Sequence, residues 1–434
     1  MRHLAIITFL FFSSAIFAQN YDWTAQNSGV TDNLNGVFFA DNQNGWAVGD
    51  NGVIVHTADG GQNWAAQTSG TDEKLRAVFF IDANTGWIVG GINTKTMLKT
   101  VDGGSTWQDI TPGNITNNQL RDIGFADANT GWVIVSDKIY MTKDGGSTWT
   151  LEEYYDGVSQ LDNKALAVTS DSTAYVAGQS KRSGYPTSYA DVLNKGPLSS
   201  PEFWGGSVAS QFQKEDKLRC IAFGDAATGF AGGQRGIIYK LEQESPDHLN
   251  GPWKINLDLE PVSVQVIFSI TFPTQSKGMF STSAETSSTS FALIYHTANA
   301  GETWSASPDI ITGFGPAIVY APDTNNAWAV GYGGKIFKGI PSPTGITQMT
   351  LDFDVSIYPN PSSDKVYVEI NSEENELVNY SLLDITGRMI EKGKWSLNSA
   401  DAKFTLNLSD VIKGIYLLKL STQDGQSTFR VVKN

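Results

Sequence analysis

The residues of this chain that could carry chemistry recur along it. An aspartate sits beside a threonine and a tryptophan in "TADGGQNW" (57–64), "TVDGGSTW" (100–107) and "TKDGGSTW" (142–149), and the frame returns as "TANAGETW" (297–304). A carboxylate in such company could serve glycoside hydrolysis, which needs a pair of carboxylates, or a tyrosine with a glutamate, facing one sugar. An enzyme needs one such constellation, whereas a repeat architecture needs its turn in every unit. Asn299 keeps the hydrogen-bonding oxygen of the aspartate and drops its charge. A general acid or nucleophile would not survive that change, but a turn would. The paired glycines allow the positive φ of a tight hairpin, and the aspartate and threonine accept hydrogen bonds from the turn's own amides. The tryptophan offers a large apolar ring for packing. The frame reads as a structural staple.

The other reactive groups do not converge. His3, His56, His248 and His296 are scattered, and His56 and His296 share one repeat position, directly before the threonine of the frame. The single cysteine, Cys220, lies in the apolar stretch "LRCIAF" and reads as a small buried residue. No glycine-rich phosphate loop and no Cys/His metal spacing occurs. The expectation is no catalytic residue, no cofactor and no metal. Three of the five arginines between residues 20 and 340 share a different repeat position: Arg76 in "LRAVFF", Arg121 in "LRDIGF" and Arg219 in "LRCIAF". Planar guanidinium groups suit carboxylates.

The elements that must position these residues follow from a second landmark. "DNQNGW" (41–46), "DANTGW" (82–87 and 127–132), "DAATGF" (225–230) and "DTNNAW" (323–328) each follow one apolar strand and precede another. Four strands per unit, at roughly 41 to 55 residues, is the pattern of a β-propeller blade. Degenerate units at 166–178 and 267–280 bring the count to seven blades, near residues 34, 75, 120, 165, 218, 267 and 315. The last unit stops after its third strand, and the orphan strand "DWTAQNSG" (22–29) matches "NWAAQTSG" (63–70). The orphan is expected to complete the last blade beside 333–338, sealing the ring and removing its open edges. Forty-three glycines, 12 tryptophans and only 17% charged residues suit such an all-β chain.

The frame "DGG-x-x-W" resembles the Asp-box, or bacterial neuraminidase repeat, which in that family is structural and lies away from the active site. Together with "GW-x-V-G", residues 20–340 resemble the photosystem II stability and assembly factor family. That resemblance implies a protein-binding propeller with no reaction of its own, carrying a comparable arginine patch for its partner. Asp-box propellers also include sialidases and xyloglucan hydrolases, so a secreted glycoside hydrolase is the alternative. The sialidase Arg-Ile-Pro sequence is absent, no recognisable carboxylate pair appears, and seven blades exceed the six of sialidases.

The two ends read differently. Residues 1–18 have a short basic start, an apolar run from Leu4 to Phe12 and Ala18 before a cleavage point, the pattern of a signal peptide. The propeller is placed at 19–340, a linker at 341–354, and a small Ig-like β-sandwich at 355–434. "YPNPSSDKVYVEI" (358–370), "LLDITGRMI" (382–390) and "GIYLLKLSTQDGQSTFRVVKN" (414–434) resemble the type IX secretion sorting domain. That resemblance implies recognition by the type IX secretion machinery and delivery, through the periplasm, to the outer surface or the medium. No later run reaches the length of a membrane span, and a net charge of −15 disfavours nucleic acid as a partner.

The reading that joins these parts is a secreted or cell-surface binding propeller. Arg76, Arg121 and Arg219 each open the innermost strand of their own blade, and a strand of about six residues spans roughly 20 Å. They should therefore ring the channel mouth opposite the Asp-boxes, with the loops 180–203 and 281–290 on the same face. Arg76, Arg121 and Arg219 are the candidate binding residues, for an acidic segment or the C-terminus of a partner protein, or for an acidic glycan. The competing role is that each arginine only bridges adjacent blades.

Overall fold

The computed structural model describes residues 21–116, 119–152, 158–182, 189–195, 217–245, 248–255, 266–285, 290–307, 311–312, 318–342, 354–371, 377–384, 388–397, 401–422 and 426–434. The signal peptide, most of the linker and most of the 180–203 loop lie outside them. The chain divides into two compact units, at 342/343.

The first unit is a seven-bladed propeller of antiparallel sheets taken in chain order. Blade 1 is Leu34–Phe39, Gly45–Gly49, Ile54–Thr57 and Ala65–Gln67. The innermost strands of blades 2 to 7 are Leu75–Phe80, Leu120–Phe125, Val158–Val168, Leu218–Phe223, Val266–Thr271 and Ile318–Tyr320. Blade 7 closes the ring: Tyr21–Gln26 lies antiparallel to Ile336–Pro341, three residues beyond the expected 333–338, with Tyr21 opposite Pro341 and Gln26 opposite Ile336. The strand stops at Gln26, short of residue 29. Beyond it Gly29, at φ +73°, turns the chain towards blade 1, where the Leu34 amide bonds to the Gly331 carbonyl of blade 7 at 3.0 Å.

One aromatic contact is repeated around the ring. The phenylalanine that ends an innermost strand lies flat on the second-strand aromatic of the preceding blade. Phe39 stacks on Trp328 at 3.5 Å, Phe80 on Trp46 at 3.5 Å, Phe125 on Trp87 at 3.7 Å, Phe223 on Tyr175 at 4.1 Å and Phe272 on Phe230 at 3.9 Å. The Asp-box tryptophan of the same blade meets it edge-on, as Trp64 does Phe39 and Trp304 does Phe272. Each stacked pair adds about 0.5–1.5 kcal/mol beyond the area it buries. The glycine of the "GW" motif lies directly under this ring. A Cβ on Gly86 would sit 2.5 Å from Phe80, and one on Gly131 would sit 2.4 Å from Phe125.

The Asp-box turns and the "DANTGW" turns share one face. The Gly60, Gly103 and Gly145 amides bond to the Gln43, Asn84 and Asn129 carbonyls, each at 2.9 Å. Across the seams, the Trp46 indole donates to the Gly103 carbonyl and the Trp87 indole to the Gly145 carbonyl, both at 3.1 Å. His56 stacks on Trp46 at 4.8 Å, and His296 meets Tyr21 edge-on at 6.2 Å.

The second unit is a β-sandwich. Asp354–Tyr358, Lys365–Asn371 and Asp401–Asn407 form one sheet; Met389–Ser396, Leu377–Asp384, Gly414–Ser421 and Gln426–Lys433 form the other. Val366, Val368 and Ile370 from the first and Leu382, Leu418 and Val431 from the second share one buried core.

Each Asp-box carboxylate is an acceptor only, so acid should undo it. The Asn63 backbone and side-chain amides and the Thr57 hydroxyl hold Asp59 down to about 2. Asp102 is lowered by the amide and hydroxyl of Thr106, and Asp144 by the hydroxyl and amide of Thr148. A carboxylate depressed in the fold stabilises above its unfolded value of about 4, and that contribution fades as the pH falls towards about 2. Asp59→Asn, Asp102→Asn and Asp144→Asn combined, imitating Asn299, should flatten melting temperature against pH across that window. Parallel curves for variant and parent would show that these boxes do not set acid stability.

Candidate functional site

The arginine position is a β-bulge. In blade 2 the pairing jumps from Leu75–Gly90 to Ala77–Val89, leaving Arg76 without a cross-strand partner. Blade 3 skips Arg121, blade 4 skips Lys164, and blade 5 skips Arg219. Blades 1 and 6 skip Asn35 and Phe268 in the same way. A bulge bends the strand and re-aims its extra side chain. Here all six point into one cavity of about 490 Å³, which Ile318 of blade 7 completes. The bulge sits at the start of the innermost strand, and the Asp-box turns sit at its end. Arg76, Arg121 and Arg219 are therefore brought together at the channel mouth opposite the Asp-boxes.

Two further cations enter the lining, Lys74 and Lys164. Lys164 lies four residues before Val168, just as each arginine lies four residues before its stacking phenylalanine. That register could have found it, but the degenerate strand "NKALAV" hides the landmark. Among the described residues no carboxylate lines the cavity. Two acids stand behind it: Asp50 pairs with Lys74 at 2.9 Å, and Asp162 takes both Arg121 and Lys164 at 2.7 Å. The cations also act on one another. Burial, then the nearby Arg121 charge, lowers Arg76 below the usual guanidinium range. Burial also lowers Lys164, with the Arg121 and Arg219 charges adding to it against the pull of Asp162.

The three arginines are not equivalent. Arg121 bridges blades 3 and 4, donating to Asp162 and to the Asn163 carbonyl at 2.6 Å. Beside it Asp122, pushed up to about 7 by desolvation, accepts the Leu166 amide of blade 4 at 2.8 Å. Arg76 donates only to the Gly91 carbonyl of its own blade, at 3.4 Å, and Arg219 lies over the Phe268 ring at 5.9 Å. Neither has a carboxylate partner among the described residues. Cys220, next along the strand, is buried against Gly232 and Ile267, which raises its thiol well above the usual range. Among the described residues no cluster of three His, Cys, Asp or Glu could hold a metal ion, and no helix is long and apolar enough to cross a membrane.

In the second unit the first and last sequence motifs meet. The Asn360 side chain donates to the Arg430 carbonyl and accepts the Val432 amide, both at 2.8 Å. Ser362 continues the contact: its amide donates to the Val432 carbonyl and its carbonyl accepts the Asn434 amide, both at 2.9 Å. The "YPNPSS" segment thus covers the backbone edge of the last strand, a protection that edge strands need.

Fold and site together define an Asp-box propeller with a cationic channel mouth, followed by a sandwich built on a clamped C-terminal strand. Residues 16–115 match the model of the photosynthesis system II assembly factor YCF48, and residues 356–434 match the secretion system C-terminal sorting domain. The chain carries a YCF48-like propeller domain and a type IX secretion C-terminal sorting domain. Among solved structures, YCF48 bound to D1 peptide is 20% identical over 75% of this chain and 99% of that one, with a TM-score of 0.56. YCF48 from Cyanidioschyzon merolae is 16% identical over 74% and 99%, with a TM-score of 0.58. The WD40 β-propeller domain of Doa1 is 11% identical over 75% and 98%, with a TM-score of 0.52. None of the curated protein sequences is a significant match to the chain. The sorting domain indicates secretion or surface localisation and interaction with the secretion machinery.

The Asn360 contact is testable by itself. Asn360→Ala removes two hydrogen bonds to the last strand, each worth about 0.5–1.5 kcal/mol. Amide exchange at Val432 should accelerate roughly fivefold or more, with the propeller amides unchanged. Unaltered exchange at Val432 would mean that the side chain does not hold the edge.

Proposed function

We propose that this protein is a secreted or surface-held binding propeller that captures a carboxylate-bearing ligand at its channel mouth. One observation carries the reading: five cations converge on a cavity with no described carboxylate in its lining, in a chain of net charge −15. Such a local reversal of sign attracts and orients an acidic ligand. Arg76 and Arg219 have guanidinium groups to offer it, and Lys164 and Lys74 add charge. Arg121 is partly committed to the seam between blades 3 and 4 and so positions the mouth as well as lining it. A neighbour in fold, YCF48, has been solved bound to D1 peptide, which is an act of the same kind. Hydrolysis of a glycan would require a carboxylate pair or a tyrosine with a glutamate, and among the described residues the lining of this cavity has neither.

Arg76→Ala with Arg219→Ala, in the full chain, leaves the Arg121 bridge intact. A fluorescent oligoglutamate peptide should bind the parent, lose affinity as salt rises, and bind the double variant at least about tenfold more weakly at unchanged melting temperature. Equal affinity for parent and variant, or no binding by the parent, would remove the proposal. Arg121→Ala should lower the melting temperature as well, because it opens a seam.

Export makes a separate test. In a cell with a working type IX system, the chain without residues 356–434 should stay in the periplasm as a folded propeller. Its appearance in the medium would show that the sorting domain is not the address.

A further inference from the structure

The mouth has two chemically different halves. Four successive blades, 2 to 5, present Arg76, Arg121, Lys164 and Arg219, all at the bulge position. The arc then changes character. Blade 6 puts Phe268 at its bulge, and blade 7 contributes Ile318 and Tyr332. Tyr332 sits on the short turn Tyr332–Gly334 and is 47% exposed, although it is a large ring on a propeller rim. Asn35 of blade 1 stands between the arcs, but its amide already serves Asp50 and the Leu75 carbonyl, at 2.8 and 3.0 Å. Arg219 over Phe268 marks the other boundary. Deeper along the innermost strands, Phe38 of blade 1 contacts Tyr320 of blade 7 and Phe79 of blade 2 at 4.9 and 5.1 Å, an aromatic layer that lies beneath the mouth.

We infer that the ligand is an amphipathic polypeptide segment, with carboxylates facing blades 2 to 5 and at least one aromatic or branched aliphatic side chain facing Phe268, Ile318 and Tyr332. The inference rests on the binding reading above and sharpens it. A uronic acid oligomer repeats its charge at every unit or two and surrounds it with hydroxyls. Against the apolar arc those hydroxyls would be desolvated with almost no acceptor to receive them. A peptide can place charge and apolar surface on opposite sides of one short stretch. A cavity of about 490 Å³ takes such a stretch rather than a flat protein surface.

Three fluorescent probes and the full chain decide the matter: a Glu/Ser hexapeptide, the same peptide with one serine replaced by phenylalanine, and an oligogalacturonate. The phenylalanine peptide should bind at least about tenfold tighter than its all-polar twin, the gain expected for burying one such side chain. Phe268→Ala should erase that gain while leaving the weaker binding of the all-polar peptide. Tyr332→Ala, at an exposed site where folding is not at stake, should reduce the gain as well. Equal binding of the two peptides, insensitive to both variants, would overturn this inference and leave the acidic-ligand reading standing. Tightest binding by the oligogalacturonate would overturn it in favour of a glycan. Binding of no probe would remove the underlying reading itself.

Discussion

The propeller depends on a phenylalanine that must lie between two blades. Its ring needs a flat aromatic partner on one side, an edge-on tryptophan above, and no Cβ beneath. Those requirements set the motif letters: the second-strand tryptophan of "GW", its glycine, and the tryptophan of the Asp-box. The Asp-box itself does no chemistry in this arrangement. Its carboxylate ties off a turn so that its tryptophan arrives over the ring, and the turn's carbonyl receives the indole of the blade before.

Among the described residues two of the seven seams lack the stack, and one of them joins blades 3 and 4. Trp132 of blade 3 faces blade 4, whose innermost strand ends in Val168. Val168 packs with Trp132 at the Asp-box end of this seam, and polar contacts hold its other end: Arg121 to Asp162 and to the Asn163 carbonyl, and Asp122 to the Leu166 amide. This is why one of three sequence-equivalent arginines is structural as well as available. The repeated bulge then does for the mouth what the stack does for the wall. It aims a side chain inward at the same position of the innermost strand in blades 1 to 6, and the pairing resumes on either side of it.

Much of this was legible in the residues. The repeat, the seven units and the shared last blade followed from landmarks whose spacing the sheets reproduce, because turns and aromatic staples are local chemistry. The closing strand was placed to within a few residues; its end at Gln26 depends on the turn at Gly29, a conformational choice that the match to 63–70 does not reveal. The arginines were found by repeat position. Their convergence depends on the bulges, a backbone irregularity with no composition of its own, and Lys164 is hidden because its strand ends in Val168 and lacks the phenylalanine landmark. So is the Asn360 clamp, since nothing in "YPNP" says that its amide will meet a strand some seventy residues later.

The central claim is that ring closure holds the mouth in shape, since the seventh blade is completed only by Tyr21–Gln26 and contributes Ile318 and Tyr332 to the lining. Hydrogen exchange compared between the intact protein and a chain lacking residues 21–26 tests it most directly. The account predicts that protection falls in the innermost strands of all seven blades, at Arg76, Arg121 and Arg219 as much as beside the cut. Loss confined to blade 7, with the arginine strands protected as before, would contradict it.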